Sequence, residues 1–224
     1  MQTVRIDLVS DIACPWCAIG YKRLEQALAE LEGEVEVELV WQPFELNPDM
    51  PPEGEPILDH LCRKYGQDAA SVQRTQGEIM ALAQGLGLDF QRARERRALA
   101  TFDAHRVLAW AAERGRETAL NLSLFDAYFG EAKNPSDPLV LRAAAERAGL
   151  DGDEAEAVAR SDRYADSVRA AKRRFMDAGV EAVPAFVLNQ RWLVSGAQPP
   201  ATLVAAIRQT AAEEEGQSAA ASGS

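Results

Sequence analysis

Cys14-Pro15-Trp16-Cys17 stands where one periodicity gives way to another, and that junction limits the folds open to the chain. Upstream, Val4-Arg5-Ile6-Asp7-Leu8-Val9 alternates apolar and polar residues as a strand does. Downstream, Leu24, Ala27, Leu28 and Leu31 recur at helical spacing. A sulfur in the first turn of that helix faces unpaired backbone N–H groups and the positive end of the helix dipole, which favour thiolate over thiol. Such settings bring a cysteine pKa from about 8.5 down to roughly 3.5–7.5. Pro15 suits the first helical position, because its missing N–H would find no partner there. Cys17 lies one turn further in and can attack a mixed disulfide formed at Cys14. The pair therefore predicts thiol–disulfide chemistry, with Cys14 at the exposed first position of the helix as the attacking thiol.

The competing reading of a CxxC is half of a zinc site. A structural zinc needs four ligands, and the rest of the chain offers Cys62, His60 and His105 with no second close pair, so no metal is expected. Cys62 shares a stripe with Leu58, Leu61 and Tyr65 and reads as a buried hydrophobe rather than a third redox thiol. His60 lies in an ordinary amphipathic stretch and takes no role. Asp11 could tune the thiolate, raising its pKa, or cap and turn the chain.

The net charge of −11 argues against nucleic acid or an anionic membrane as a partner. Arg92, Arg94, Arg96 and Arg97 are a local basic run, read as a solvated helical face in preference to an anion site. There is no apolar run of membrane-spanning length and no basic stretch followed by a signal-like apolar core, so the expected location is cytoplasmic. In that compartment the two thiols would cycle rather than persist as a staple.

After the first helix, expected from Pro15 to Leu31, Val35-Glu36-Val37-Glu38-Leu39-Val40-Trp41 alternates strictly, which completes a βαβ unit with parallel strands. Pro43, Pro48, Pro51, Pro52 and Pro56 with Gly54 make an extended connection. From Ile57 to Met176 the apolar spacing is almost all helical. Ala185-Phe186-Val187-Leu188 and Arg191-Trp192-Leu193-Val194 flank Asn189-Gln190 as a two-residue hairpin, and Pro199-Pro200 opens a last helix. This order predicts an α/β chain with a thioredoxin-like mixed sheet and a large all-helical insertion between the second and third strands. The expected boundaries are residues 1–48 and 160–212 for the thioredoxin-like part, 49–159 for the insertion and 213–224 for a disordered tail.

The chain resembles the DsbA-like thioredoxin-fold oxidoreductases, most of all the FrnE-type branch, whose relatives include 2-hydroxychromene-2-carboxylate isomerases and kappa-class glutathione transferases. The resemblance spans roughly residues 3 to 208. It rests on Asp11-Ile12-Ala13-Cys14-Pro15-Trp16-Cys17, Pro43-Phe44-Glu45-Leu46-Asn47-Pro48, Thr101-Phe102-Asp103-Ala104-His105-Arg106, Gly179-Val180-Glu181-Ala182-Val183-Pro184-Ala185-Phe186 and Ser195-Gly196-Ala197-Gln198. It implies Cys14 as nucleophile, Cys17 as resolving thiol, His105 facing the cleft from the insertion, and a cis Pro184 whose preceding residue, Val183, pairs with an extended substrate. Outside that context Pro184 reads as a strand-starting proline and His105 as a buried helical histidine. Relatives often carry Asn where this chain has Ala100.

Catalysis is accordingly expected from Cys14, Cys17 and Pro184, with Val183, His105, Trp16, Ser195 and Gly196 meeting the substrate. The expected partner is a protein or small molecule carrying a disulfide or dithiol, with no bound cofactor and with glutathione as a candidate co-substrate. A glutathione-dependent isomerase or transferase is the alternative, in which glutathione would lie along Val183 and the Ser195-Gly196 turn. The intact CPWC favours redox exchange, since activating glutathione's own sulfur needs no second protein thiol. A third reading is a non-enzymatic module whose CxxC stabilises the fold or senses oxidation.

Overall fold

The computed structural model describes residues 2–222, with side chains through Glu214. The chain runs through β1 (Gln2–Ser10), α1 (Pro15–Glu30), β2 (Val35–Pro43), β3 (Glu55–Pro56), α2 (Ile57–Tyr65), α3 (Ala69–Gly85), β4 (Arg97–Ala98), α4 (Phe102–Ala112) and α5 (Glu117–Phe125). A π-helical turn (Asp126–Gly130) follows, then α6 (Pro138–Arg147), α7 (Gly152–Ala159), α8 (Ala165–Asp177), β5 (Ala185–Leu188), β6 (Trp192–Ser195) and α9 (Pro200–Ser222).

The strand order of the main sheet is β2-β1-β5-β6. β1 pairs in parallel with β2 from Gln2 opposite Val35 to Ser10 opposite Pro43, and antiparallel with β5. As a central strand β1 buries both faces. Val4, Ile6 and Leu8 meet Leu24 and Ala27 of α1 and Leu203, Val204 and Ile207 of α9. Val9 packs with Phe175 of α8, Val180 and Ala185 in a separate cluster. This is the thioredoxin-like layout that the βαβ start and the late hairpin predict.

Between β2 and α8 the regular structure is helical apart from a two-residue ladder, in which Glu55 pairs with Ala98 and Pro56 with Arg97. The ladder pinches the base of the excursion carrying α2 and α3. Gly54, at φ 59°, leads into it, and a Cβ there would lie 2.2 Å from the Ala98 carbonyl oxygen, so only glycine fits. The rings of Tyr21, Trp41, Phe125, Phe129 and Phe90 then form a continuous series. Their centroids are 5.1 Å apart for Tyr21–Trp41, 6.5 Å for Trp41–Phe125, 6.3 Å for Phe125–Phe129 and 4.3 Å for Phe129–Phe90. The series joins α1 and β2 to the helical block.

Four expectations are corrected. The hairpin loop has three residues, because Leu188 pairs with Trp192, and Asn189 and Gln190 both take positive φ, at 46° and 56°. Residues 213–222 of the expected disordered tail continue α9, consistent with the helix propensity of an Ala- and Glu-rich run. The basic run is irregular chain leading into β4 rather than a helical face, and its Arg96 is buried. On α2 the buried side belongs to Ile57 and His60, while Cys62 is half-buried and Tyr65 exposed.

Arg106 fastens the block. Its buried guanidinium donates to the Val158 and Ala159 carbonyls at 2.8 Å each, to Ser161 and Arg163 carbonyls, and to Asp103 Oδ1 at 2.7 Å. A planar fork with five donors can satisfy the end of α7 and the approach to α8 at once, whereas an ammonium cannot. Arg106→Lys should therefore cost about 2–4 kcal/mol, read as a lower urea midpoint, since each bond to a charged group contributes about 1.5–3 kcal/mol. A midpoint unchanged from wild type would contradict this role.

Candidate active site

The β1–α1 junction is a tight turn held by Asp11. Its carboxyl group is fully buried, with Oδ1 accepting from the Ala13 N–H at 3.1 Å and Oδ2 from the Leu46 N–H at 2.6 Å. The Asp11 carbonyl accepts from Cys14 N–H at 3.0 Å. Turn formation is thus what this aspartate does, the second of the roles open to it in the sequence. Cys14 is the N-cap residue of α1, Pro15 occupies the first turn, and no acidic side chain lies there to oppose a thiolate.

Cys14 is 4% exposed, more enclosed than its expected place at the helix start. It packs at the edge of the main core and also borders a cavity. The cavity holds about 460 Å³ and is lined by Ala13 through Trp16, by Leu46 and Asn47, by residues of α2 and α3, by Phe90, Arg96, Tyr128 and Phe129, and by Glu181 through Val183. The Cys14 thiol donates to the Val183 carbonyl at 3.6 Å. The Val183–Pro184 bond is cis, and Pro184 is buried. Trp16 is 40% exposed at the rim.

Both cysteines are free thiols. Cys17 is fully buried, and burial pushes its pKa well above the ordinary thiol range. The hydrogen bond and charge of Cys14 add to that rise, against smaller opposing effects of the Asp11 backbone and the Ser10 hydroxyl. The two sulfurs are thus unequal. One borders the cavity, and the other is held as a thiol inside.

The expected substrate residues divide. Trp16 and Val183 line the cavity with Cys14, whereas His105, Ser195 and Gly196 do not. His105 is buried behind the site, its Nε2–H donating to the Phe44 carbonyl at 2.8 Å and lying 3.7 Å from Asp11 Oδ1. It faces a second cavity bounded by β2, α4, α5 and α8 instead of the cleft. A helix turns by about 100° per residue, so its place in the motif did not fix which way it faced. Ser195 and Gly196 lie at the end of the hairpin, where Gly196 N–H donates to the Pro184 carbonyl at 2.8 Å and so supports the proline from behind.

Sequence reasoning missed several members of the wall. Pro43-Phe44-Glu45-Leu46-Asn47-Pro48 is bolted on by Asp11, by His105 and by a Glu45–Lys172 ion pair of 2.8 Å. His60, given no role, lines the cavity with Nδ1 2.6 Å from Glu55 Oε1. Arg96, assigned to a solvated face, lines it too. Tyr128 is buried there, with a pKa pushed up to about 12 by burial, and its hydroxyl donates to the Arg97 carbonyl at 2.8 Å. Gly20 had a readable signal, a glycine inside a helical pattern.

Gly20 sets how closely α1 approaches the proline. A Cβ there would lie 2.9 Å from Pro184 Cγ and 3.4 Å from Phe186 Cζ. Ala is the better helix former by about 1 kcal/mol, so in open space Gly20→Ala would stabilise α1. Here the displacement of a buried ring should win, with a loss of about 1–3 kcal/mol and a slower reaction at Cys14. A higher melting temperature with unchanged thiol reactivity would show that the contact relaxes freely.

A family profile for a DsbA-like thioredoxin domain matches residues 5–208. YwbO of Bacillus subtilis (strain 168) is 30% identical over 189 residues, covering 84% of this chain and 88% of that protein. A crystal structure of a probable DsbA oxidoreductase from Streptomyces coelicolor superposes with a TM-score of 0.85 at 38% identity, over 92% of this chain and 89% of that one. A 2-hydroxychromene-2-carboxylate isomerase structure shares the fold, with a TM-score of 0.69 at 14% identity over 95% and 98% of the two chains. The profile spans nearly the whole chain, and the chain belongs to the DsbA-like thioredoxin-domain family of oxidoreductases.

Proposed function

We propose that this protein is a dithiol–disulfide oxidoreductase of the FrnE type that acts on protein or small-molecule disulfides in the cytoplasm. The observation that carries this reading is the inequality of the two sulfurs. Cys14 borders an open cavity beside the Val183 carbonyl, and Cys17 is fully buried with a raised pKa. In the reductive direction the Cys14 thiolate attacks one sulfur of the substrate disulfide and displaces the other as a thiolate. Cys17 then gives up its proton and attacks Cys14 Sγ, which releases the second substrate thiol and leaves a Cys14–Cys17 disulfide. Two electrons pass from the protein dithiol to the substrate, and the oxidative direction is the reverse. The extended edge at Val183 suits an incoming substrate strand. Glutathione enters this scheme only as a reductant, through a transient mixed disulfide at Cys14.

Cys14→Ser should reduce insulin disulfide reduction to background, whereas Cys17→Ser should accumulate mixed disulfides visible by mass spectrometry. Iodoacetamide at neutral pH should label Cys14 and spare Cys17 in the reduced protein. Equal labelling of the two thiols would overturn the assignment. Catalysis of an aromatic isomerisation or a glutathione conjugation at the wild-type rate by the Cys14→Ser, Cys17→Ser double variant would replace it with the glutathione-dependent alternative.

A further inference from the structure

Arg96 is the arginine of the cavity wall, and the dithiol exchange assigns it no step. It is 5% exposed, and its guanidinium lies over two rings, 5.0 Å from the Phe129 centroid and 5.5 Å from that of Tyr128. Nη1 donates to the Ala93 carbonyl. Nε is buried with no hydrogen-bond partner, and among the described residues no carboxylate forms an ion pair with this side chain. An arginine stays charged even when burial lowers its pKa, as it does here. A buried cation without an anion is costly, and such charges are found paired or bound to a ligand.

Apart from the Cys14 thiolate, whose charge favours the guanidinium, the remaining wall supplies no buried anion to Arg96. Glu181 is the sole acidic residue of the lining and is exposed. Glu55, nearby on β3, is held by His60 and Arg63. Lys64 adds a second positive charge at the mouth, with Nζ 3.3 Å from the Leu46 carbonyl. In a chain of net charge −11 this cavity is locally cationic. Much of its remaining lining is apolar, with Ile57, Val72, Ile79, Met80 and Phe90. A volume of about 460 Å³ falls within the usual small-ligand range of roughly 300–1,000 Å³.

We propose that Arg96 anchors a carboxylate of the substrate, so that the cavity selects small disulfides and thiols bearing an acid group a few bonds from the sulfur. The inference rests on the redox reading above and names its substrate class. The guanidinium fork meets a carboxylate in two parallel hydrogen bonds, which orients the disulfide as well as attracting it. The apolar side chains that line the same cavity as Arg96 and Cys14 would accommodate the methylenes that separate acid from sulfur.

The test is single-turnover oxidation of the reduced protein, which needs no added reductant, by two disulfides of similar size. One is 3,3′-dithiodipropionate, and the other is the neutral 2-hydroxyethyl disulfide. The wild type should react at least tenfold faster with the acid, and Arg96→Gln should lower the ratio of the two rate constants at least tenfold. Arg96→Lys should give an intermediate ratio, because it keeps the charge and loses the fork. The ratio cancels any effect of Arg96 on the Cys14 thiolate, which would change both rates alike. A ratio near one in the wild type, or the same ratio in wild type and Arg96→Gln, would overturn the proposal.

A second measurement uses wild-type protein only and so does not depend on the variants folding. Suberate, in which two methylenes replace the two sulfurs, should bind by calorimetry, and suberamide should not. Absence of suberate binding would overturn the carboxylate site while leaving the redox reading intact. Suberate binding without oxidation by either disulfide would overturn the redox reading and keep the site.

Discussion

The Asp11 carboxyl group is the tie on which the site depends. It joins two stretches far apart in sequence, the turn that presents Cys14 and the loop that carries Leu46, through the Ala13 and Leu46 amides. Hydrogen bonds from backbone N–H groups to a carboxyl with no solvent exposure cannot be exchanged cheaply for water, and losing either would leave a buried acceptor unsatisfied. His105 completes the arrangement from α4 by holding the Phe44 carbonyl. The histidine thereby positions the wall on which a substrate would lie and does not itself enter the cavity.

The ring series from Tyr21 to Phe90 carries the same constraint through the rest of the insertion. Each aromatic pair contributes about 0.5–1.5 kcal/mol beyond its buried area, and together they fix the distance between the sheet and the far wall. Phe129 takes part in that series and also lies beneath Arg96. The placement of the Arg96 side chain in the cavity wall is therefore set by packing that begins at α1. A protein interior is close-packed, so a shift at Trp41 or Phe125 would be passed along to the guanidinium.

What could be read in the sequence was what local spacing determines. Alternation through Val4–Val9 and Val35–Trp41 gave the two parallel strands, and the CPWC at their crossover gave the helix start and the reactive pair. Residues whose meaning depends on distant partners were misread. Arg96 sits among Arg92, Arg94 and Arg97, a composition typical of solvated surface, and only Tyr128 and Phe129, more than 30 positions later, bury it. His60 looked ordinary because Glu55 and the cavity are not visible in its own helical pattern. In the hairpin, Asn189 and Gln190 do form a tight turn with positive φ, closed by Arg191 N–H donating to the Leu188 carbonyl at 3.0 Å, but the ladder resumes at Trp192, one residue later than the alternation suggests. His105 and Arg106 are adjacent in one motif and point to different tasks, one at the Phe44 loop and one at the end of α7.

The net charge of −11 opposes the approach of an acidic substrate, and the balance is decided by distance. At physiological ionic strength the Debye length is about 8 Å, so surface carboxylates beyond that range are largely screened from a ligand inside the cavity. Arg96 and Lys64 line the cavity itself, and Arg96 is too deeply buried for solvent ions to screen it well. The local cationic groups therefore govern binding once the ligand has entered, while the surface charge acts mainly on approach. A ligand acid at Arg96 would also give its Nε the hydrogen-bond partner it lacks among the described residues. Binding would thus relieve a cost already present in the unliganded fold, beyond any contact made along the apolar wall.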